Sequence, residues 1–443
     1  MWVAMGGMGT ALSLARQGFT NINVWEQAPY LDEVGAGINI PPNLGRILTR
    51  WGVMDICKAE GVAIQVANVH DCETDEVLTA TNYSEYMRQE YGHPFITVHR
   101  SALQKSLVRG ALDTGRVTLH LDQVISEYDF ENTRLLVRDD EVDLDEDGYP
   151  IEGELVWIDA DLIICADGIK SKARAALLEQ QGIKDEVEST GQAAYRIMVR
   201  KSLAANDPEL LPFFTEAQSH RWIGDRRHVM GYPIEAGDLF NISTSQPDGN
   251  FVEADEWTAM GDKETMLETF HDFCPRVKKL LSLVPQYEVL EWRLRVHKPL
   301  PTWVDGHVAL VGDACHPTLP HLAQGAAQAI EDAVALGIIL SRIKSKDQIH
   351  AALKVYQKIR KPRADWAVVT ADENSKHLHL KRADRDKWVA ELRAALPDGE
   401  DSVVIDRLGS RDTHDRLFRY DIALETEQHF SKLFAEELMA GEA

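Results

Sequence analysis

The chain has 443 residues, which is enough for two or three domains around a substantial hydrophobic core. Its 47 lysine and arginine residues against 71 aspartate and glutamate residues give a net charge of −24, so binding of nucleic acid is not expected. Hydrophobic residues make up 44% and charged residues 27%, values that exclude a disordered chain and fit an ordinary globular one.

Membrane insertion and disulfide bonding are not predicted either. Apolar runs such as 333–340 are far shorter than the ~18 residues that span a bilayer, so no transmembrane segment is expected. No basic and apolar leader pattern precedes the glycines that follow Met1, and this favours a cytoplasmic protein. The five cysteines lie far apart without a CxxC pair, which favours reduced thiols, and no metal site is predicted.

The first fifty residues have the pattern of an α/β fold. A short apolar start and a glycine cluster lead into a helix that runs through Arg16 and closes at Gly18, before a strand at 22–26. This is half of a βαβ unit. A glycine-rich loop then leads into a second helix, whose start is marked by Pro41 and Pro42.

The middle of the chain predicts buried strands and a mixed sheet. Segments 160–166 and 307–311 are short apolar runs, each followed at once by Asp and Gly in some order. Between them, 180–300 alternates helical pieces with strand-like ones, which indicates a second domain. The strand-like pieces are 193–199, 228–234 and 239–245.

Two further segments are predicted from their charge patterns. The acidic run 139–148 is interpreted as a solvated loop between two strands, because its spacing lacks the ligand order of a calcium-binding loop. The tail at 372–443 alternates charges with helical periodicity and predicts a helical cap over the body.

The N-terminal pattern matches the back half of a dinucleotide-binding fingerprint. That fingerprint needs a strand, a GxGxxG turn, a helix facing the pyrophosphate and an acid about 20 residues further on for the ribose. Glu26 supplies the acid, and Gly6 and Gly7 precede it at a suitable distance. Trp2 and Ala4 stand where the first two glycines belong, and the first strand is missing. Either the sequence as given begins late or the pyrophosphate loop has degenerated, and the intact remainder favours the first explanation.

Three other motifs carry polar residues at places where α/β sheets bind ligands. Arg100 falls between a predicted strand and a helix, where it can meet a phosphate, although a surface ion pair is the simpler interpretation. Asp167 and Gly168 directly follow a buried strand, although such a pair alone commonly marks a turn. Segment 306–337 joins a buried strand, a GD pair, two prolines, a QG pair and a long helix of small residues.

Together these motifs resemble the FAD-dependent aromatic monooxygenases of the salicylate hydroxylase type, within the para-hydroxybenzoate hydroxylase-like flavoprotein family. The resemblance runs from about Gly6 to Gly337 and continues weakly into 417–425. It implies an α/β fold with a Rossmann-like FAD-binding domain, an inserted mixed-sheet substrate domain and a C-terminal helical region. The implied division is 1–178 for the first part of the FAD domain with a small insertion around 60–95, 179–297 for the substrate domain, 298–371 for the GD part of the FAD domain and 372–443 for the helical cap.

The resemblance also implies which residues hold the cofactor. It assigns Gly6, Gly7 and Glu26 to the ADP half of FAD, Gly37 to the isoalloxazine, Arg100 to the pyrophosphate region, Asp313 to the ribitol, and Asp167 and Gly168 to both FAD and the reduced nicotinamide. Independently, Gly325 and Ala326 open a helix of small residues, whose positive N-terminal end would favour negative charge on a reduced flavin.

The implied reaction uses NADH or NADPH to reduce FAD, and O2 then gives a flavin C4a-hydroperoxide that hydroxylates a small phenolic or aromatic-acid substrate. The protein must supply a dry pocket and stabilise a phenolate. Arg196 and Tyr232 are the candidates for that task. The alternatives are a buried structural ion pair for Arg196 and a core tyrosine with a satisfied hydroxyl for Tyr232. His321 is the candidate proton acceptor. His316 is interpreted as a turn-stabilising residue.

Several alternatives stay open at this point. A dearomatising, epoxidising or decarboxylating flavoenzyme would use the same scaffold, and a degenerate relative without FAD would act as a binding protein. An NAD-dependent dehydrogenase is disfavoured, because the motifs at Asp167 and Asp313 would then have no role. The partners expected are a small aromatic substrate and O2, and a homodimer is left open.

Overall fold

A computed structural model of the chain describes residues 5–31, 36–138, 155–251, 257–286, 288–395 and 407–441. The helices are α1 Met5–Arg16, α2 Pro42–Arg50, α3 Asp55–Glu60, α4 Ser84–Tyr91, α5 Arg100–Leu112, α6 Lys172–Gln180, α7 Lys201–Ala204, α8 Pro212–Thr215, α9 Lys263–Thr269, α10 Pro275–Ser282, α11 Gly325–Leu340, α12 Ile349–Leu378, α13 Arg382–Ala395, α14 Arg411–Phe418 and α15 Ile422–Gly441. The strands are β1 Ile22–Trp25, β2 Gly37–Ile40, β3 Val62–Ala63, β4 Val66–Asp71, β5 Val77–Asn82, β6 Ile96–His99, β7 Val117–His120, β8 Glu127–Asp129, β9 Arg134–Arg138, β10 Leu155–Asp159, β11 Ile163–Cys165, β12 Val187–Arg200, β13 Gln218–Gly224, β14 Arg227–Ile234, β15 Leu239–Pro247, β16 Thr258–Met260, β17 Leu290–His297, β18 Val304–Asp305 and β19 Val308–Leu310.

Helix α1 begins at Met5, so its glycines lie inside the first turns rather than in a loop before the helix. Gly9 has a packing role in the helix rather than a role in a loop, because a Cβ atom placed there would lie 2.4 Å from Ile330 Cδ1 of α11. Small residues therefore let α1 approach α11 closely. Gly18 has φ +98° and follows the end of the helix, as the sequence predicts. Trp2 and Ala4 lie outside the described residues.

Two small parallel sheets carry the motifs of the cofactor domain. Strand β1 pairs with β7, and β11 pairs with β19 in the register Ile163 to Val308. The two segments predicted as buried strands are therefore neighbours. Because parallel strands end at the same edge, the polar residues that follow β11 and β19 are brought to one side of the sheet.

An antiparallel sheet in the order β10-β9-β8 and another in the order β2-β6-β3 flank these parallel pairs. The acidic run 139–148 lies outside the described residues, so its interpretation as a loop stays a prediction.

A sheet of eight strands in the order β16-β17-β12-β15-β14-β13-β4-β5 forms the middle of the molecule. The strands predicted at 193–199, 228–234 and 239–245 are confirmed as parts of β12, β14 and β15. Strands β4 and β5 come from the segment around 60–95 and extend the same sheet, with β4 parallel to β13.

One face of this sheet is a packed apolar layer. Tyr195, Ile197, Val229 and Ile242 point to it and belong to one hydrophobic cluster with side chains of α9 and α10. Neighbouring residues along each strand point to the opposite face, because side chains alternate along a strand.

The C-terminal helices pack against the cofactor domain as well as the sheet. Almost every residue of α11 is buried, and α15 contacts both α11 and α12. Helix α12 runs uninterrupted through the predicted boundary at 371/372. The division into domains stays a prediction. None of the described helices has the length and apolar character needed to cross a bilayer.

Candidate active site

The second face of the eight-stranded sheet keeps accessible surface around Arg196, Met198, Met230 and Ser243, and the space over these four residues is here called the sheet-face cavity. Arg196 pairs across the sheet with Ser243, and Ser243 pairs with Met230, so these side chains share one face. Arg196 is exposed and the other three are half-buried, although all lie on central strands. Tyr195 on the opposite face is fully buried. The accessible surface on these central strands shows that the described side chains do not fill the space over this face.

Arg196 lies in this cavity without an acidic partner. No described carboxylate lies within ion-pair distance of it, so the structure does not show the buried ion pair weighed as an alternative. Its guanidinium carbon lies 5.2 Å from the centre of the Trp292 ring. Burial lowers the pKa of Arg196, and the positive charge of Arg100 lowers it further. A cation without an acidic partner favours an anionic ligand.

Tyr232 and Gly37 close one side of the cavity. Tyr232 is 6% exposed, and burial raises the pKa of its hydroxyl. The Gly37 N–H donates to Asn241 Oδ1 at 2.6 Å, which ties the start of β2 to the sheet. A Cβ on Gly37 would lie 2.7 Å from the Tyr232 ring. Glycine is therefore needed for the close approach of β2 to this face.

Arg100 and Asp313 lie close enough for their charges to act on each other. Arg100 is the first residue of α5, and its N–H donates to the Ala36 carbonyl at 3.2 Å. Asp313 lies in the turn that follows β19. Burial lowers the pKa of Arg100 and raises that of Asp313, and the two charges only partly offset these effects. Among the described residues, none donates a hydrogen bond to the Asp313 carboxylate.

The start of α11 leaves space and unpaired polar atoms beside these charges. A Cβ on Gly325 would meet no atom within 4 Å, and Ala326 is half-buried. Asn43 Nδ2 donates to Gln324 Oε1 at 3.2 Å, which leaves Asn43 Oδ1 and Gln324 Nε2 buried without partners in the described chain. Ala323 has φ +54°, a conformation that costs energy for a residue with a side chain.

A buried hydrogen-bonded network supports the turn that carries Asp313. Asp332 accepts hydrogen bonds from the Gly312 N–H at 3.0 Å, His316 Nε2 at 2.6 Å and Arg360 Nε at 2.8 Å. Burial alone would raise the pKa of Asp332, but His316 and Arg360 hold it below its usual value. The contact of His316 with Asp332 agrees with the predicted role of His316 in the turn.

Glu331 extends this network to α2. It accepts from Arg360 at 2.8 Å, from Arg363 at 2.7 and 2.9 Å, and from Asn43 at 2.8 Å. Sequence reasoning missed these residues, because no motif spacing connects α2, α11 and α12. We call Glu331, Asp332, Arg360 and Arg363 the paired network.

The side chains of Cys315, His316 and Asp332 lie close enough together to suggest a metal site, with ligand atoms within 4.8 Å of one another. The Asp332 carboxylate is already occupied by Arg360 and the Gly312 N–H, so ordinary hydrogen bonds account for this group.

Asp167 has a local structural role. Its carboxylate accepts from Ser171 Oγ at 2.5 Å and from the Ala173 N–H at 3.1 Å, at the start of α6. Gly168 has φ +76° and completes the turn. The turn interpretation therefore describes the Asp167 side chain, and its predicted contact with FAD or nicotinamide stays a prediction.

Gly6, Gly7 and Glu26 lie at one edge of the parallel sheets. Gly6 and Gly7 occupy the first turn of α1, where backbone N–H groups have no partner within the helix. A Cβ on Gly7 would lie 3.4 Å from Ala166, next to the Asp167 turn. Glu26 follows β1, is buried, and accepts from the Ala28 N–H at 2.9 Å.

His321 belongs to a cluster of three histidines at the edge of the cavity. Its ring centre lies 5.6 Å from that of His228 and 5.5 Å from that of His379. His321 is 4% exposed, and its Nε2 has no partner among the described residues. Burial lowers the pKa of all three. His228 precedes Tyr232 by four positions on β14, so strand alternation could have placed it on this face from sequence.

Comparison with known proteins gives the family. Residues 4–371 match the model of the FAD binding domain family. The FAD-dependent monooxygenase ntnJ of Nectria sp. is 31% identical over 85% of this chain and 83% of its own length. The 6-hydroxynicotinate 3-monooxygenase of Bordetella bronchiseptica is 32% identical over 84% of this chain and 89% of its own length.

A solved salicylate hydroxylase in complex with its substrate has the same fold, with a TM-score of 0.72 and 24% identity over 96% of both chains. The resemblance inferred from the motifs and the predicted α/β fold class are confirmed. The chain thus belongs to the FAD binding domain family and is an FAD-dependent monooxygenase.

Proposed function

We propose that this enzyme hydroxylates a small phenolic or aromatic-acid substrate, with NADH or NADPH as the electron donor and O2 as the oxygen source. The observation that supports this proposal most directly is Arg196, a cation that is accessible on a central strand and has no acidic partner among the described residues. An aromatic acid or a phenolate would supply the missing negative charge.

The residues beside the cavity fit FAD. Asn43 Oδ1 and Gln324 Nε2 offer one acceptor and one donor without partners, as the edge of an isoalloxazine ring requires. The open space at Gly325 lets a planar ring approach the backbone of α11. Arg100 and Asp313 offer a cation for phosphate and an acceptor for ribitol hydroxyls. Bound FAD would accept a hydride from the nicotinamide and activate O2.

The protein's own task is to hold the substrate and make its ring electron-rich. Arg196 stabilises negative charge on a substrate oxygen, because its side chain is accessible on this face and no described carboxylate neutralises it. Met198, Met230 and Trp292 are half-buried on the same face and offer apolar contact to an aromatic ring. Such side chains also exclude water from the reacting atoms.

His321 and His228 supply the proton acceptors. A phenol must lose its proton to become a strong nucleophile, and a neutral imidazole within reach can take it. The lowered pKa of each histidine keeps the ring neutral near pH 7, as a base must be. Tyr232, whose pKa is raised by burial, stays protonated and can donate a hydrogen bond to the substrate oxygen.

Two further points support the reaction. When one oxygen atom of O2 enters the substrate, the other is reduced to water, and this needs two electrons from a second donor. A reduced nicotinamide is the common cellular source of these electrons. Relatives are named for hydroxylating 6-hydroxynicotinate and for salicylate hydroxylation. Both of those substrates are small aromatic acids or phenols, in keeping with the cation in the cavity.

The test is NADH and NADPH oxidation by the FAD-loaded enzyme against a panel of phenols and aromatic acids, with O2 uptake and product mass. We expect substrate-dependent oxidation of one nicotinamide and a product heavier by one oxygen that keeps its aromatic ring. A product that has lost aromaticity or carries an epoxide would favour the other flavoenzyme chemistries. Purified protein that neither holds nor takes up FAD would contradict the proposal.

A further inference from the structure

We propose that a surface cleft between α2, α3 and α4 binds the phosphate group of a small organic phosphate. This cleft is here called the basic cleft, and its lining includes Thr49, Lys58, Arg88, His93, Pro94 and Ile96. The inference goes beyond the proposed function and does not depend on it. None of the described residues that line the basic cleft belongs to the sheet-face cavity or to the predicted cofactor residues.

The basic cleft carries two cations that the protein itself does not neutralise. Lys58 of α3 and Arg88 of α4 are exposed, and none of the described residues that line the cleft is acidic. Neither side chain forms an ion pair or a hydrogen bond with a described residue, although Asp55 and Glu85 lie three positions earlier on the same helices. In a chain with a net charge of −24, two such cations in one cleft give an anion a local positive potential.

His93, at the wall of the cleft, is affected by this potential. It is 7% exposed, and burial lowers the pKa of its ring. The positive charges of Lys58, Arg88 and Arg46 lower that pKa further, so all three act on the same place. Arg46 donates to three backbone carbonyls at 2.6 to 3.2 Å. Lys58 and Arg88 are therefore the two cations whose hydrogen-bond donors are available to a ligand.

The donors and the size of the cleft fit a phosphate ester. A phosphate monoester carries nearly two negative charges at pH 7 and accepts several hydrogen bonds, which Lys58, Arg88 and the exposed Thr49 hydroxyl can donate. The cavity has a volume of about 420 Å³, within the range of sites for small organic molecules. Pro94 and Ile96 add an apolar wall for the organic part of the ligand.

Strand β6 separates the basic cleft from the active site. The Thr97 hydroxyl donates to the Pro233 carbonyl of β14 at 2.6 Å, so this side chain faces the large sheet. Ile96 precedes Thr97 and points to the other side, where it lines the cleft. Arg100, the residue predicted to meet the FAD pyrophosphate, follows the opposite end of β6. A phosphate in the basic cleft is therefore distinct from those of the cofactor.

The experiment is a calorimetric titration of the FAD-loaded enzyme with ribose 5-phosphate at low ionic strength. We expect one molecule bound per chain, and no binding of ribose, which lacks the phosphate. Lys58→Gln and Arg88→Gln should each weaken binding by about tenfold or more, as expected for the loss of one charge-assisted contact. Lys432→Gln makes the same change of net charge at an exposed lysine of α15. It is the matched control and should bind as the unaltered enzyme does.

Further titrations locate the site and define its ligand. Arg196→Ala should keep full affinity for ribose 5-phosphate, whereas loss of binding in that variant would place the phosphate in the sheet-face cavity and overturn the proposal. No binding to the unaltered enzyme, unchanged binding in both cleft variants, or an equal loss in Lys432→Gln would overturn it as well. Inorganic phosphate should bind more weakly than ribose 5-phosphate. Equal affinity for the two would overturn the assignment of an organic ligand.

Discussion

Two groups of charged side chains flank the start of α11, and they differ in whether the protein itself neutralises them. The paired network of Glu331, Asp332, Arg360 and Arg363 is buried and closed by hydrogen bonds of 2.7 to 2.9 Å between its members. Arg100, Arg196 and Asp313 lie among protein atoms that shift their pKa values, but Arg196 and Asp313 keep exposed surface, and no described residue forms an ion pair or side-chain hydrogen bond with either of them.

We expect the paired charges to stabilise the fold and the unpaired ones to serve a ligand. A paired buried charge is held by its partners, and removing one partner leaves the other unsatisfied at high cost. An unpaired charge with exposed surface can interact with a ligand, and removing it leaves no buried partner unsatisfied. Mutations in the two groups are therefore expected to act on different quantities, and the following predictions start from the largest effect.

Arg360→Met should give the greatest loss of stability. The change leaves the carboxylates of Glu331 and Asp332 short of a partner in a buried site, and we expect a loss of about 3–5 kcal/mol in the free energy of unfolding. Urea unfolding followed by circular dichroism measures it. Lys358→Ala, which removes an exposed ion pair on the same helix, is the control and should cost no more than about 1 kcal/mol. Equal losses in both variants would contradict the assignment.

Arg196→Ala should spare the fold and FAD binding but reduce turnover by about 100-fold, in the range of other lost electrostatic contacts to a reacting oxygen. The measurements are kcat/KM for the best phenol and flavin absorbance after gel filtration. Arg200→Ala, on the same strand and exposed at its end, should have normal kinetics. Unchanged kinetics in Arg196→Ala would remove that residue from the site.

Asp313→Asn should weaken FAD retention by about tenfold, roughly the value of one charge-assisted hydrogen bond. The pKa of Asp313 is raised by burial, so its ionised form opposes folding at neutral pH and this cost disappears as pH falls through the folded-state pKa. The FAD-free variant should then be as stable as the unaltered protein or more stable at pH 7. A less stable variant would place Asp313 among the structural charges.

His379→Gln should leave stability at neutral pH nearly unchanged and act only in acid. The pKa of His379 is lowered from 6.5 to about 4, so the unfolded chain binds more protons in that window. The stabilising contribution of neutral His379 is present above about pH 6.5 and is lost as pH falls towards about 4. Unfolding midpoints across this range should fall less in the variant, and His377→Gln should follow the unaltered protein.

The sequence predicts the site best where motifs follow strand ends. Parallel pairing of β11 with β19 explains why residues separated by more than a hundred positions share an edge, and short apolar runs were enough to find both strands. The paired network could not be predicted, because Asn43 and Glu331 meet across 288 positions without any local pattern. The glycines of α1 were misplaced by a few residues, since close packing on α11 rather than a loop explains Gly9.

At the Asp167 turn, the sequence shows the motif but not the contacts of its side chains. The motif is visible in the sequence, whereas the hydrogen bonds of its carboxylate with Ser171 and Ala173 are seen only in the structure, and contact of Asp167 with FAD or nicotinamide stays a prediction. His228 was missed although its position was available from the alternation along β14. A histidine on an apolar strand can be assigned to a face from sequence when the alternation of side chains along the strand is counted from a residue whose face is already predicted, as Tyr232 is for His228.

The parallel contact between β4 and β13 joins strands about 150 positions apart in the chain. A fragment cut at residues 179 and 297 would expose the whole hydrogen-bonding edge of β13 to solvent and to other fragments. Engineers who wish to transplant the large sheet into another scaffold must bring the stretch around 60–95 along with it, and ribosomal synthesis has to finish β13 before β4 can find its neighbour.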